Sequence, residues 1–216
     1  MQNNYDSIAL VYDRLSRLVF GKAQVKAQTV LLPFIVPGSR VLIAGGGTGW
    51  VLEELCKIYR SGLDIVYVEI SAKMLQLSKK RNVGFNKILF IQQAVESAEI
   101  EGAIDVILTG FLFDNFAVEK AQRIFELLDG RLKPGGLWLF ADFKLGKSPG
   151  QFWQKAMLGA MYFFFRLVCK IEAKHLTDME PVFNNAGYQK VFGKNFYRHF
   201  IYSVLYKKPA HLVQTN

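Results

Sequence analysis

The stretch Val41-Leu42-Ile43-Ala44-Gly45-Gly46-Gly47-Thr48-Gly49 decides how this chain is read. An apolar run passes directly into a glycine-dense turn, and Trp50-Val51-Leu52-Glu53-Glu54-Leu55 continues in a helical pattern. About twenty residues after the turn, where dinucleotide folds place a ribose-binding acid, Ile65-Val66-Tyr67-Val68 ends on Glu69. A strand, a turn without Cβ atoms, a helix N-terminus and a carboxylate at the next strand's tip are the parts of a nucleoside-binding corner.

Three nucleotide readings compete for this turn. A phosphate loop of the form GxxxxGK[ST] needs a lysine that the sequence lacks. A dinucleotide site needs GxGxxG, in which the last glycine lets the helix pack closely on the strand. Counted from Gly45, that position holds the bulky Trp50. The pattern present is GxGxG, from Gly45, Gly47 and Gly49, which leaves room beside the backbone for an amino-acid tail and makes no demand for pyrophosphate. Glu69 can accept hydrogen bonds from two vicinal ribose hydroxyls.

Working outward, residues 5–32 predict helix, closed by Pro33 and Pro37-Gly38. Strands are predicted at 39–44, 63–70, 87–92, 104–110 and 137–143, the first two apolar enough to be buried on both faces. Helices are predicted at 49–61, from a Ser71 cap onward, and from about Val118, where Ala121, Ile124, Phe125, Leu128 and Leu132 share one face. Lys133-Pro134-Gly135-Gly136 reads as a turn. An aromatic helix is expected over 149–172 and a shorter one over 178–186. Two closing strands, 188–196 and 198–206, are placed to pair antiparallel. Strands alternating with helices predict an α/β fold: a Rossmann-like seven-stranded sheet, mostly parallel with an antiparallel C-terminal closure, and helices on both faces. The expected organisation is one domain: a helical cap (1–37), a cofactor core (38–143), an aromatic helical lid (144–176) and a closing helix and hairpin (177–208).

Composition narrows the setting. The 216 residues suffice for one domain with a sizeable core, half of them being hydrophobic. Cys56 and Cys169 make neither a disulfide framework nor a metal cluster, so no metal is expected and a reducing, cytoplasmic setting fits best. The N-terminal segment carries Asp6 and Asp13 and no apolar signal core. The greasy stretch from Met157 to Cys169 is interrupted by Arg166 and too short to span a bilayer. Lysines and arginines total 27 against 18 acids, a formal charge of +9, which is compatible with nucleic acid, anionic lipid or acidic small molecules and equally with a solvated basic surface. The basic residues are scattered rather than blocked, which disfavours a nucleic-acid tail. Nothing in the sequence sets an oligomeric state.

The glycine turn, Glu69 and Leu132-Lys133-Pro134-Gly135-Gly136-Leu137-Trp138-Leu139 together resemble class I S-adenosylmethionine-dependent methyltransferases over nearly the whole chain. Tyr5-Asp6-Ser7-Ile8-Ala9-Leu10-Val11-Tyr12-Asp13, and Ile104-Asp105-Val106-Ile107 through Phe111 and Asn115, are similar to the ubiquinone/menaquinone C-methyltransferase group. The resemblance implies S-adenosylmethionine as cofactor and S-adenosylhomocysteine as product. It places Ala44, Gly45, Gly46, Gly47 and Gly49 along the methionine part, Glu69 on the ribose, and Ile70, Met74 and Val95 around the adenine. It places Thr109 and Gly110 near the sulfonium, with Tyr5 and Tyr12 closing over the cofactor. The chain departs from the family at Ile43 and Ala94, where acids are usual, and at Asp114, where the quinone group has arginine. The polyamine aminopropyltransferases share the triple glycine and strand-end glutamate, but they bear aspartate at the Thr48 position and an N-terminal β-domain.

A methyl on a sulfonium is already activated, so such an enzyme must mainly align a nucleophile and exclude water. A base is needed only for an acceptor that keeps its proton. The candidates are Asp114 and Asp142, with a capping or solvated role as the alternative for each, while Asp105 sits on the wrong sheet edge. Phe111, Phe113 and Phe116 are candidates to wall an apolar acceptor, and the absence of an Asn-Pro-Pro-Tyr-like tetrad disfavours amino-nitrogen methylation. In the aromatic helix Trp153 and Met157 are candidate substrate contacts, and His175 beyond it is a candidate base or an exposed loop residue. Flanked by Lys147, Lys155, Arg166, Lys170 and Lys174, this helix reads as a core helix, a lid, or a lid dipping into an anionic membrane surface. The expected function is methyl transfer to a small, apolar, quinone-like or other acceptor. The alternatives are a nucleic-acid methyltransferase, an aminopropyltransferase and a non-catalytic cofactor-binding protein.

Overall fold

The computed structural model describes residues 5–146, 152–169, 173 and 175–210. Seven strands form one sheet in the order β3-β2-β1-β4-β5-β7-β6. β1 (Arg40–Ala44) is flanked by β2 (Asp64–Val68) and β4 (Ile104–Gly110), all parallel, and β3 (Lys87–Ile91) pairs parallel to β2. β5 (Leu132–Phe143) runs parallel to β4, whereas β7 (Ile201–Lys207) lies antiparallel between β5 and β6 (Gln189–Phe196). The chain reverses its direction of travel across the sheet between β1 and β4. In open α/β sheets that point leaves a crevice at the strands' carboxyl ends.

The strands are buried on both faces because helices cover both. On one face α5 (Val118–Arg131) and α7 (Glu180–Asn185) pack Ile124, Phe125 and Phe183 against Leu42, Val66, Ile107 and Trp138. On the other, α3 (Trp50–Ile58) and Leu31 beyond α2 (Ala23–Thr29) pack against Val41, Ile43, Ile65 and Leu139. α4 (Ala72–Ser78) adds Leu75 to that layer and is capped by Ser71, whose hydroxyl accepts the Met74 amide at 3.1 Å. A third apolar cluster lies beyond the carboxyl end of β5 and the amino end of β7. There Ile8 and Phe20 of the N-terminal segment meet Phe143, Phe200, and Leu158 and Tyr162 of α6 (Phe152–Cys169).

Three local expectations change. The single helix over 5–32 is a turn followed by α1 (Tyr12–Phe20) and α2, broken at Gly21, which adopts φ +56. Leu132 opens β5 rather than closing α5. Ile104 pairs with Leu132 and Val106 with Leu137, so Lys133–Gly136 bulge within the strand instead of preceding it. The closing strands are shorter, because Tyr197, Arg198 and His199 all take positive φ in the turn between them. The ends predicted for the aromatic helix, with Lys147, Lys170 and Lys174, lie outside the described residues.

Candidate active site

The glycine turn grows out of the carboxyl end of β1. Gly45 and Gly46 both donate their amides to the Val68 carbonyl, at 2.9 and 3.1 Å, which pins the turn to β2. A Cβ on Gly46 would lie 2.2 Å from the Tyr67 ring, and Tyr67 in turn donates its hydroxyl to the Gly47 carbonyl at 2.9 Å. Gly47 has φ +63 and open space where a Cβ would stand, so its backbone is bare toward the crevice.

Glu69 completes the corner. It is only 5% exposed, and each carboxylate oxygen accepts one backbone amide at 2.8 Å, Oε2 from Gly47 and Oε1 from Ser71. Two carboxylate oxygens offer about four acceptor directions, so acceptor capacity remains beyond these amides for hydroxyl donors. Burial raises its affinity for a proton, and the amide donors from Ser71, Gly47 and Ile70 act in the opposite sense.

These groups open onto a cleft of about 1230 Å³, counted out to its solvent mouth. Gly45, Gly46, Gly47, Glu69, Ile70, Met74, Val95 and Gly110 line it, with Tyr5 and Tyr12 over its far side. The residues fit a nucleoside carrying an amino-acid tail: a bare glycine backbone, a two-oxygen acceptor, and apolar surfaces at Ile70 and Val95 on which a base can lie. Ile43 and Ala94 line the cleft too, so these two positions of its wall are apolar.

The N-terminal segment is tied to this corner by side chains. The Thr48 hydroxyl donates to Asp13 at 2.8 Å, and Arg81 reaches Asp13 at 3.2 Å, Glu53 at 3.3 Å and the Thr48 carbonyl at 3.0 Å. Asp6 accepts from the Ser71 hydroxyl and from the Lys73 amide. The Tyr5 hydroxyl donates to Asn115 Oδ1, across from β4.

Behind Tyr5 and Tyr12 lies a second, more apolar chamber of about 950 Å³ between α1 and α6. Leu15, Val19 and Phe20 form one side and Met157, Met161, Tyr162 and Phe165 the other. Tyr5, Tyr12, Ser16, Gln24, Phe111 and Asn115 line both spaces, so the two share a wall. Asp114 lines the second chamber and is 8% exposed. Asp142, 3% exposed at the end of β5, accepts the Phe143 amide at 2.7 Å. Burial raises both carboxyls above their usual range, Asp142 to about 7, and the negative charge of Asp142 raises Asp114 further.

Seven sequence-predicted site residues line neither space, Asp142 among them. Ala44 faces the α5 layer and is core, because neighbouring strand residues point to opposite faces and Ile43 takes the crevice side. Thr109 is buried for the same reason, and its hydroxyl accepts the Trp138 indole N–H at 2.9 Å. Gly49 is a packing glycine: at φ +80 it starts α3, and a Cβ there would stand 2.6 Å from Ser78 of α4. Phe113 is fully buried against Trp138 and Phe140. Trp153 packs edge-on to Tyr197 and Phe200 rather than into the chamber. His175 is exposed and lines neither space. Phe116 lies on the cofactor cleft, with the Lys120 ammonium 5.1 Å from its ring, while Phe111 borders both spaces and Met157 the chamber. The sequence reading missed Trp50, Gln24, Gln28, Leu112 and Asn115 on the cleft walls. Of these, only Asn115 carries a signal in the sequence, through the stretch that resembles the quinone methyltransferase group.

Residues 41–136 match a protein family described as methyltransferase domain. A malonyl-[acyl-carrier protein] O-methyltransferase of Priestia megaterium is 26% identical over 146 residues, covering 68% of this chain and 52% of its own length. A ubiquinone/menaquinone biosynthesis C-methyltransferase of Francisella philomiragia is 29% identical over 145 residues, covering 64% and 57%. This chain therefore spans little more than half the length of either relative. Among solved structures, a methyltransferase of Haloferax volcanii in complex with the Trm112 activator superimposes with a TM-score of 0.71 at 15% identity, covering 97% of this chain and 99% of that one. The 1,6-didemethyltoxoflavin-N1-methyltransferase of Burkholderia thailandensis, holding 1,6-didemethyltoxoflavin and S-adenosylhomocysteine, does so with 0.63 at 14% identity, covering 93% and 88%. Fold, glycine turn and the match over residues 41–136 are those of a class I S-adenosylmethionine-dependent methyltransferase domain, and ubiquinone/menaquinone C-methyltransferases are among the relatives it resembles.

Proposed function

We propose that this chain transfers the methyl group of S-adenosylmethionine to a small apolar acceptor held between α1 and α6. The observation that carries the reading is the junction of two spaces. A cleft holding Glu69 and the bare glycine turn shares the Tyr5–Tyr12–Phe111–Asn115 wall with an apolar chamber. The bound cofactor supplies an electrophilic methyl on a sulfonium. Glu69 holds the ribose hydroxyls, the bare turn at Gly45 to Gly47 receives the amino-acid tail, and Ile70 and Val95 flank the base. Tyr5 and Tyr12 screen the junction from water, and the chamber's aromatic wall orients the acceptor.

A polyanionic acceptor is the weaker reading, because desolvating phosphates against Leu15, Val19, Met161 and Phe165 is costly. The outer faces of the same two helices support access from an anionic membrane surface. Leu10, Val11, Leu18, Phe163 and Leu167 are exposed there beside Arg14 and Arg166. No helix among the described residues is long and apolar enough to cross a membrane. The function is tested by incubating the protein with methyl-labelled S-adenosylmethionine and a panel of apolar phenols, quinols and carboxylic acids. Label transfer to at least one of them is expected, and transfer only to RNA would overturn the acceptor class.

A further inference from the structure

The two segments that wall the apolar chamber are apolar on their outer sides as well. On α6, Phe152, Phe163 and Leu167 share one helix face with Ala156 and Gly159, all exposed. The opposite stripe, with Leu158, Tyr162 and Cys169, is buried. On the N-terminal segment Leu10, Val11 and Leu18 are exposed at the same helical spacing. Half of the large apolar side chains left exposed among the described residues belong to these two segments. Their outward charges are of one sign. Arg14, Arg17, Lys155 and Arg166 are exposed, and the only acid in α1 or α6, Asp13, is held by Thr48 and Arg81. Leucine and phenylalanine side chains accompanied only by cations complement an anionic bilayer surface. Val19 and Phe164, 37% and 39% exposed, also line the chamber, so the chamber reaches the surface between these helices.

The N-terminal segment grips the cofactor corner from its other side. Asp13 accepts from Thr48 in the glycine turn, and Asp6 accepts from the hydroxyl of Ser71, whose amide donates to Glu69. The segment is joined to α6 by the Ser7 hydroxyl, which donates to the Val168 carbonyl at 3.1 Å, and by the Tyr5 and Tyr12 rings against Phe165. Much of its inner face turns onto the two spaces rather than onto packed core, as in elements that open locally. We infer that residues 5–20 form a strap whose closed position is favoured both by an anionic bilayer surface and by the cofactor, so that each raises the affinity for the other. The inference rests on the methyltransferase reading and adds its partner and its control. Leu10, Val11 and Leu18 meet a bilayer together with Phe163 and Leu167 only when α1 lies against α6. Tyr5 and Tyr12 lie over the cofactor in that same position. Two ligands that favour one state of a protein are linked, and the linkage is reciprocal. A chain built this way holds its cofactor most tightly where an apolar acceptor is dissolved.

Equilibrium dialysis of the full chain against S-adenosylhomocysteine, with and without vesicles, tests this. Phosphatidylcholine vesicles containing about one third phosphatidylglycerol should tighten S-adenosylhomocysteine binding about fivefold or more, and saturating S-adenosylhomocysteine should tighten vesicle binding by the same factor. Vesicles of phosphatidylcholine alone should change the affinity by no more than about twofold. Asp13→Asn keeps the outer face and loosens the tie to Thr48 and Arg81. It should still bind anionic vesicles, with the mutual gain reduced to within about twofold. Leu10→Glu with Leu18→Glu should lose both vesicle binding and the gain, and bind S-adenosylhomocysteine without vesicles as the wild type does. Wild-type S-adenosylhomocysteine binding that anionic vesicles leave unchanged overturns this inference and leaves the methyltransferase reading standing. Failure to bind S-adenosylhomocysteine with or without vesicles overturns both. An equal gain from neutral vesicles, or from soluble RNA in place of vesicles, overturns the anionic bilayer as the partner. Should Asp13→Asn not fold, the wild-type series and the Leu10 and Leu18 variant decide alone.

Discussion

The two spaces of this molecule are built in opposite ways. The cofactor cleft is assembled from neighbouring strand ends, and its key contacts are backbone: amides of Gly45 and Gly46 on Val68, and the Gly47 amide on Glu69. The apolar chamber is made of side chains from segments far apart in the chain, α1 and α6, with Asp114 also in its lining. A site made of backbone tolerates little change in its glycines and is the same for every acceptor. A site made of side chains on two capping helices can be rebuilt without disturbing the sheet.

That contrast can be broken by substitution. The largest effect is expected at Gly46, where a valine side chain would begin 2.2 Å from the Tyr67 ring. Overpacking of this kind costs about 1–3 kcal/mol, so Gly46→Val should lower S-adenosylhomocysteine affinity by up to about a hundredfold, measured by calorimetry. Next is Met161→Trp, which fills the chamber from α6. It should weaken acceptor binding by about tenfold or more while leaving cofactor affinity within about twofold. If both affinities fall together, the two spaces are not separable in the way proposed.

The third expected effect concerns stability and pH. Burial raises the Asp142 carboxyl to about 7, above the usual value of about 3.9 in an unfolded chain. The folded state therefore binds this proton more tightly than the unfolded state. The carboxyl destabilises the fold progressively as pH rises from about 4 through about 7. Asp142→Asn removes that penalty, offset in part by the weakened bond to the Phe143 amide. It should stabilise the protein by about 1–2 kcal/mol at pH 8 and by little at pH 4.5, read from denaturant unfolding at the two pH values. A larger gain at the acid end would contradict the assignment. The smallest effect is at the surface. Phe163→Glu with Leu167→Glu should reduce co-sedimentation with vesicles containing anionic lipid by a fewfold and leave neutral vesicles and S-adenosylhomocysteine binding unchanged.

The contrast also explains what the sequence could disclose. Glycines and a strand-end acid are legible because their spacing along the chain is the geometry of the corner. Within that corner, the sequence does not show that the Ala44 and Thr109 side chains turn into the core, because their strands are apolar on both faces, which removes the alternation that tells one face from the other. Gly49 was legible as a required glycine but not in its purpose, since only the fold brings Ser78 against it. The aromatic helix was recognised, yet which of its residues face the chamber depends on α1, more than a hundred residues away in sequence, and Trp153 turned out to pack on the closing hairpin. Tyr162 carried no sequence signal at all. Its hydroxyl is buried without a hydrogen-bond partner among the described residues, which only the fold shows.

The central claim is that the corner formed by the glycine turn and Glu69 holds S-adenosylmethionine, and calorimetric titration of the full chain with S-adenosylhomocysteine tests it most directly. Saturable one-to-one binding is predicted, weakened about tenfold in Glu69→Gln, where one of the two hydroxyl acceptors is lost, and unchanged in Met161→Trp. No binding by the wild type, or equal binding by wild type and Glu69→Gln, would contradict the account.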